Sequence, residues 1–534
     1  MATGVNFAAI GRNLKQIKRL FTGKRLDEGI RIVINCEKLE NRVALLEDGK
    51  IEEYGVERDN NENIVGAIFK GRVKNIEPGL KAMFVDIGLD KNAFLHFWDA
   101  LPEALDAGLE EISRKGSGTK RKKITAKDIP ELYPVGSEVL VQVSKGPIGN
   151  KGPRITTNIS LPGRFMVLMP RNEQFGISRR IEEPKERLRL RKIMERLALP
   201  EGMGIIMRTV CQGQRLRFFV RDLNILLGEW EKIEENRRTM KAPACVFREP
   251  DLIERTVRDF LTDEVEEVLI DNAEVAERMR DMVGAISRRS RKRITTYSSP
   301  EPIFEKYGIQ RQIDDAFFRQ VWLPCGGYLV IDETEALISI DVNTGRNKGG
   351  GDKMILETNL EAAEEVARQL RLRNIGGLIV IDFIDMRSRK DQQAVYRVIK
   401  DRLKHDKAKT QVLPISQLGL MEMTRQRLNE SLSNTVLENC NYCGGKGMIK
   451  SMESMSVEIQ RKISAVMFRK RGAVNNLLVV VHPEVLQRLK SLDSELFVEL
   501  ERKHSLRLTF RADASFHREQ LTIANAETGE EFKI

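Results

Sequence analysis

Histidine is scarce in this chain, and the little there is lies scattered. Five histidines, His96, His405, His482, His504 and His517, are spread over 534 residues. None is near the aspartate-bearing strands described below, which excludes a histidine-ligated zinc hydrolase there. Cysteine is nearly as sparse, at six residues, which speaks for a reducing compartment. Cys36, Cys211, Cys245 and Cys325 are isolated among apolar neighbours and read as structural. No apolar run is long enough to span a bilayer, and the N terminus lacks the apolar core of a secretory signal. A soluble cytoplasmic protein is expected. Asn6–Arg25 has instead the pattern of a basic amphipathic helix, with Ile10, Leu14, Ile17 and Phe21 on one side. It could pack on its own domain or touch RNA, a membrane surface or a partner.

What is abundant is positive charge. The formal net charge is +11 and the pI about 9.2, which fits a polyanionic partner. Arginine and lysine cluster at 120–123, 187–192 and 288–293. Each run alone could be a solvated face; several together point to nucleic acid. The length predicts three or four domains.

The most informative stretch runs from Gly326 to Met386. In Ala336–Asn343 the alternation puts Leu337, Ser339, Asp341 and Asn343 on one face and Ile338, Ile340 and Val342 on the other. The glycine-rich segment Thr344–Asp352 reads as a mobile loop. Thr358 and Glu361 have capping-box spacing for a helix that presents Leu360, Ala363, Val366, Ala367 and Leu370 on one face. That helix should end near Asn374, and Leu378–Asp382 should re-enter the sheet. A strand–helix–strand unit in one sheet is nearly always a right-handed parallel crossover, with ligands at the carboxyl ends of its strands. Asp341 and Asp382 are then expected at one rim. Two carboxylates and an amide oxygen suit Mg²⁺, or Mn²⁺, holding several waters and a phosphate. The bland alternative is that the aspartates cap turns or pair with Arg346 or Arg387. Asp385 is expected to turn away from Asp382.

Two other segments carry chemistry. Cys440-Asn-Tyr-Cys443-Gly-Gly-Lys-Gly447 has the knuckle pattern of a tetrahedral zinc site, with only half the ligands such a site needs. Either the site is incomplete, or two chains contribute two thiolates each; a redox pair is the rival. Phe69–Gly88, Asn92–His96 and Gly136–Lys145 read as short strands of a barrel. Phe84 and Phe94 are candidates either for base stacking or for the core. The basic insertion Ser113–Asp128 is of low complexity.

IDVNTGR, NLEAAEEVARQLRLRNIGGLIVIDFIDM, GLMEMTRQR, the cysteine knuckle, KGRVKNIEPGLKAMFVDIG and NKGPRITTNISLPGRFMVLMP together resemble the ribonuclease E/G family. The resemblance is collinear from about Ile30 onward. It implies a bacterial single-strand endoribonuclease of RNA processing and decay that leaves 5′-phosphate and 3′-hydroxyl ends. It also implies an α/β multidomain order. After a basic extension (1–28) comes a first RNase H-like part (29–62), then an S1-type OB-fold (63–161, insertion 103–130) and a 5′-sensor region (162–253). A second RNase H-like part (254–316), a DNase I-like catalytic domain (317–438), a zinc link (439–450) and a small C-terminal α/β domain (451–534) follow.

By the same resemblance, Asp341 and Asp382 match Mg²⁺ ligands and Asn343 a catalytic asparagine. Gly163, Val167, Arg208 and Thr209 match a 5′-monophosphate sensor. Phe84, Phe94 and Lys151, assisted by Lys145, match RNA-gripping residues. Cys440 and Cys443 match zinc ligands that join two protomers into a homodimer, with a tetramer possible. The chain departs from the family at Asn441, where proline is usual, and in a slightly shorter loop after Asp341. It ends at Ile534 without a long scaffold tail, as in the G-type branch or a shortened E-type enzyme. Two readings of other classes stay open: an RNA-binding factor without catalysis, and a metal nuclease acting on DNA.

Overall fold

A computed structural model describes residues 29–58, 64–101, 109–111, 128–147, 151–262, 264–347, 351–404, 406–427, 430–469 and 474–532. The expected N-terminal helix and residues 113–127 of the basic insertion lie outside these. The fold is mixed α/β and divides into two compact units between Ser433 and Asn434. Among the described residues, no helix is long and apolar enough to cross a membrane.

The first unit contains a sheet made from distant parts of the chain. Ile30–Cys36, Glu40–Glu47 and Lys50–Arg58 form a meander. Its free edge is filled by Val265–Ile270, parallel to Ile30–Cys36, and then by Ile294–Thr296. Ile32, Ile34, Val268 and Ile270 are buried in one core with Val257 and Met279, from the helices before and after Val265–Ile270. Between the two halves of this sheet the chain builds a closed ring. Ile68–Glu77, Ala82–Asp86, Ala93–His96, Arg154–Thr156 and Glu138–Lys145 pair in that order, and the last pairs back onto the first. Met83, Val85, Ala93, Leu95, Val141 and Val143 alternate into its interior, as the two-residue strand period requires. A further sheet, centred on Met166–Met169 and Gly204–Met207, is covered by the helix Leu216–Thr239 through Phe219, Leu223 and Leu226.

The remaining sheet of this unit has strands β1 (Gln320–Trp322), β2 (Tyr328–Glu333), β3 (Ile338–Asn343), β4 (Gly377–Asp382), β5 (Thr410–Val412) and β6 (Leu420–Arg425). Their order is β1-β2-β3-β4-β6-β5. Helix α1 (Asp352–Leu372) makes the crossover from β3 to β4, and these two strands are parallel, as expected. Ala363, Val366, Ala367 and Leu370 are fully buried against Ile340, Ile379 and Ile381. Truncating a leucine in such a setting costs about 2–5 kcal/mol.

Helix α1 starts earlier than its capping-box signal suggests. Leu356 also packs on the core, so the helix extends back to Asp352, after Gly351 at φ +82°. Thr358 is therefore interior, and its hydroxyl donates to the Met354 carbonyl at 3.0 Å. Glu361 accepts from the Cys325 amide at 2.8 Å instead of closing a cap. The helix ends at Leu372, and Asn374 at φ +50° reverses the chain.

The second unit is a three-stranded sheet, with Asn476–Val481 flanked by Arg507–Ala512 (parallel) and Leu521–Asn525 (antiparallel). Helices Met452–Arg469, Pro483–Ser491 and Ser494–His504 cover it around Ile459, Ile463, Leu489 and Phe497.

Candidate active site and nucleic-acid surface

Asp341 and Asp382 are register partners across the parallel pair β3–β4, Asp382 as the last residue of its strand and Asp341 two residues before the end of its own. Ile338, Ile340 and Val342 point into the core, so Asp341 faces outward, and both aspartates are exposed. Asn343 lies on the same face, and its Nδ2 donates to Asp341 Oδ2 at 2.8 Å. The Asp382 carboxyl is raised from its ordinary value, first by partial burial and then by the charges of Asp341 and Asp385. The charge of Asp385 thus reaches the Asp382 carboxyl, as the weakest of these influences. The alternation that was expected to turn it away stops at Asp382, where β4 ends.

Among the described residues neither Asp341 nor Asp382 has an ion pair, and Arg346 instead lies over the Trp322 ring. Two like charges held side by side with no cation would gain from one supplied from outside. No group of three or more His, Cys, Asp or Glu among the described residues could hold an ion by itself. Two carboxylates and an amide oxygen are hard donors of the kind a hydrated divalent cation takes.

On the ring, Phe84 and Phe94 are cross-strand partners with ring centroids 5.9 Å apart in an edge-on arrangement. Both are half-buried on the outer side and neither belongs to the core. The same rung continues through Arg154, register partner of both Phe94 and Lys145. Arg154 was missed in the sequence because its strand is only three residues long; its guanidinium is held by Asp99 at 2.8 Å. Lys145 and Lys151 are exposed nearby in the chain. The basic runs are less free than they read: Arg189 pairs with Glu186, and Arg291 with Glu277.

The Arg208 Nη1 donates both to the Gly163 carbonyl at 2.6 Å and to Asp259 Oδ1 at 2.8 Å. Gly163 has no room for a side chain, since a Cβ there would stand 2.8 Å from the Asp222 carboxylate. Asp222 is buried and accepts the amides of Arg164, Phe165 and Met166, which fixes the turn after Gly163. The Gly163 amide itself donates to the Met166 carbonyl. Val167 is on the adjoining strand opposite Ile206, and Thr209 follows Arg208 at the start of a short 3₁₀ turn. Asp259 is the unforeseen member. Burial alone would raise its carboxyl, but Arg208, Arg258 and Lys407 bring it down to about 2.

In the second unit, Cys440 is exposed and Cys443 half-buried. Gly447 N–H donates to Cys443 Sγ at 3.2 Å, the kind of amide–sulfur contact the knuckle pattern implies. The Cys440 thiol is shifted toward thiolate by the Cys443 amide, then the Tyr442 amide and the Cys443 side chain. His517 stacks near Tyr442, with centroids 4.1 Å apart, and its Nε2 lies 2.5 Å from the Tyr442 carbonyl oxygen. Two cysteine sulfurs, one of them accepting a backbone amide, are half of the donor set a tetrahedral zinc site needs.

A carboxylate rim of oxygen donors at the ends of parallel strands is the type of site used for phosphate-ester chemistry. Comparison with known proteins narrows this class. The model of the ribonuclease E/G family matches residues 160–428, and that of the RNase E/G thioredoxin-like domain matches 439–526. Ribonuclease G of Escherichia coli (strain K12) is 35% identical over 494 residues, covering 92% of this chain and 99% of that protein. Ribonuclease G of Haemophilus influenzae is 35% identical over 501 residues, covering 93% and 99%. Ribonuclease E of Escherichia coli (strain K12) is 40% identical over 438 residues, which is 81% of this chain and 40% of that longer protein. The chain belongs to the ribonuclease E/G family.

Proposed function

We propose that this protein is a metal-dependent endoribonuclease that cuts single-stranded RNA in RNA processing and decay, leaving 5′-phosphate and 3′-hydroxyl ends. The observation that carries the reading is the in-register pairing of Asp341 with Asp382 across two parallel strands. These two carboxylates would hold Mg²⁺ (or Mn²⁺), and the ion when bound supplies Lewis-acid stabilisation of charge on the phosphate and an activated water. Asn343 orients Asp341 through its 2.8 Å hydrogen bond and presents an amide to the substrate side. Phe84 and Phe94, with Lys145 and Lys151, would grip the strand, bases on the rings and phosphates on the ammonium groups.

Arg208 and Thr209, beside Gly163 and Val167, would read a 5′-monophosphate. Guanidinium and hydroxyl donors suit a terminal dianion. Because Arg208 already pairs with Asp259, the phosphate would share or displace that carboxylate. The closed ring supports an S1-type OB-fold, and the sheet assembled from distant strands supports a split RNase H-like subdomain around it. The six-stranded sheet would be the DNase I-like catalytic part. Cys440 and Cys443 would bind Zn²⁺ together with the same pair of a second copy, giving a homodimer or a dimer of dimers in a bacterial cytoplasm.

The test is cleavage of one single-stranded sequence as RNA and as DNA, with a 5′-monophosphate or a 5′-hydroxyl, in Mg²⁺ and in EDTA. Metal-dependent cutting of the RNA, faster with the monophosphate, is expected. Equal cutting of the DNA contradicts the RNA assignment, and tight binding without cutting leaves an RNA-binding factor.

A further inference from the structure

The open face of the six-stranded sheet carries an aromatic pair that the reaction as described does not use. In β1–β2 Trp322 pairs with Tyr328, and in β2–β3 Tyr328 pairs with Asn343. Directly opposed residues of antiparallel strands point to the same side. Trp322, Tyr328 and Asn343 thus form one row on the face that bears Asp341 and Asp382. Trp322 is two strand spacings from Asn343, about 10 Å. Its ring centroid is 5.3 Å from that of Tyr328, with the planes tilted by 58°. Even so, the tryptophan is 52% exposed.

The loop after β3 completes the arrangement. Gly345, at φ +54°, passes so close to the preceding turn that a Cβ would lie 2.5 Å from the Gly326 carbonyl. The Arg346 amide donates to that same carbonyl at 2.8 Å. This anchors Arg346 with its guanidinium carbon 5.3 Å from the centre of the Trp322 ring. An exposed indole, a neighbouring phenol ring and a stacked guanidinium are what single-stranded nucleic-acid sites use to hold a base without reading its identity.

We propose that Trp322, Tyr328 and Arg346 form a stacking platform for one unpaired base of the substrate, next to the phosphate held at Asp341 and Asp382. The inference rests on the ribonuclease reading above. The platform positions the strand and takes no part in the chemistry, so its loss should raise KM and leave kcat nearly unchanged.

The experiment uses the full chain and a short single-stranded RNA cut at one position, plus copies in which one nucleotide at a time is abasic. For the wild type, one abasic position close to the cut should lower kcat/KM roughly ten- to a hundredfold. Trp322→Ala should lose about as much on intact RNA and become indifferent to that abasic position, whereas Trp322→Phe should retain most activity. Arg346→Ala should show a smaller loss with the same positional signature. Trp322→Ala cutting intact RNA like the wild type overturns the platform, as does a loss equal at every abasic position and not rescued by phenylalanine. A changed oligomeric state without positional dependence would make the surface a contact between copies, which also overturns it. If the wild type cuts no RNA at all, the ribonuclease reading fails first and the platform with it.

Discussion

The rim at Asp341 and Asp382 and the pocket at Arg208 are both charged, and they handle charge in opposite ways. At the rim, Asp341 and Asp382 stand side by side with no ion pair among the described residues, and Asp382 is raised, first by partial burial and then by its acidic neighbours. At the pocket, Arg208 is already matched by Asp259, which Arg258 also contacts and Lys407 approaches at 3.9 Å. The first arrangement would gain from a bound cation. The second is stable empty, so a phosphate bound there must compete with an internal carboxylate.

The sharpest way to break this comparison is to neutralise the rim. Asp341→Asn or Asp382→Asn should lower cleavage by more than about a hundredfold while RNA binding stays nearly intact. A comparable loss of binding in a gel-shift titration would make the pair structural. Next in size is the internal carboxylate of the pocket. Asp259 is held at about 2 against an ordinary value of 3.8, so it contributes stability of order 2 kcal/mol that is present above pH 4 and lost as pH falls toward 2. Urea unfolding should show Asp259→Asn destabilised at pH 7, with the gap to wild type closing below pH 4; a constant gap would remove the charge argument.

Arg208→Gln should shrink the rate preference for 5′-monophosphate over 5′-hydroxyl RNA by about tenfold, the worth of a charge-assisted contact. An unchanged preference would take the sensor role away from this pocket. Cys440→Ser alters the second unit. It should release zinc and separate protomers in sedimentation while changing cleavage of a short RNA only a few-fold, and a dimer that persists without zinc would contradict the shared knuckle.

Much of the rim was legible because it depends on local periods. The alternation of Ile338, Ile340 and Val342, the apolar stripe of α1 and the parallel sense of the crossover together put Asp341 beside Asp382. The start of α1 was misplaced because Leu356 extends the packed face beyond the capping signal. Asp259 as partner of Arg208 was out of reach: the two are 51 residues apart and their meeting depends on how separate elements dock. The same holds for Val265–Ile270 completing the sheet begun by Ile30–Cys36, and for Arg154 on the Phe84–Phe94 rung. Sequence period fixes which way a side chain faces, whereas its long-range partner is settled by tertiary packing.

The central claim, that the rim is built for an added cation, is tested most directly by Mn²⁺ binding followed through solvent water relaxation. Wild type should bind Mn²⁺ in competition with Mg²⁺, more weakly as falling pH protonates Asp382, and Asp341→Asn and Asp382→Asn should each abolish that binding. Undiminished Mn²⁺ affinity in both variants would contradict it.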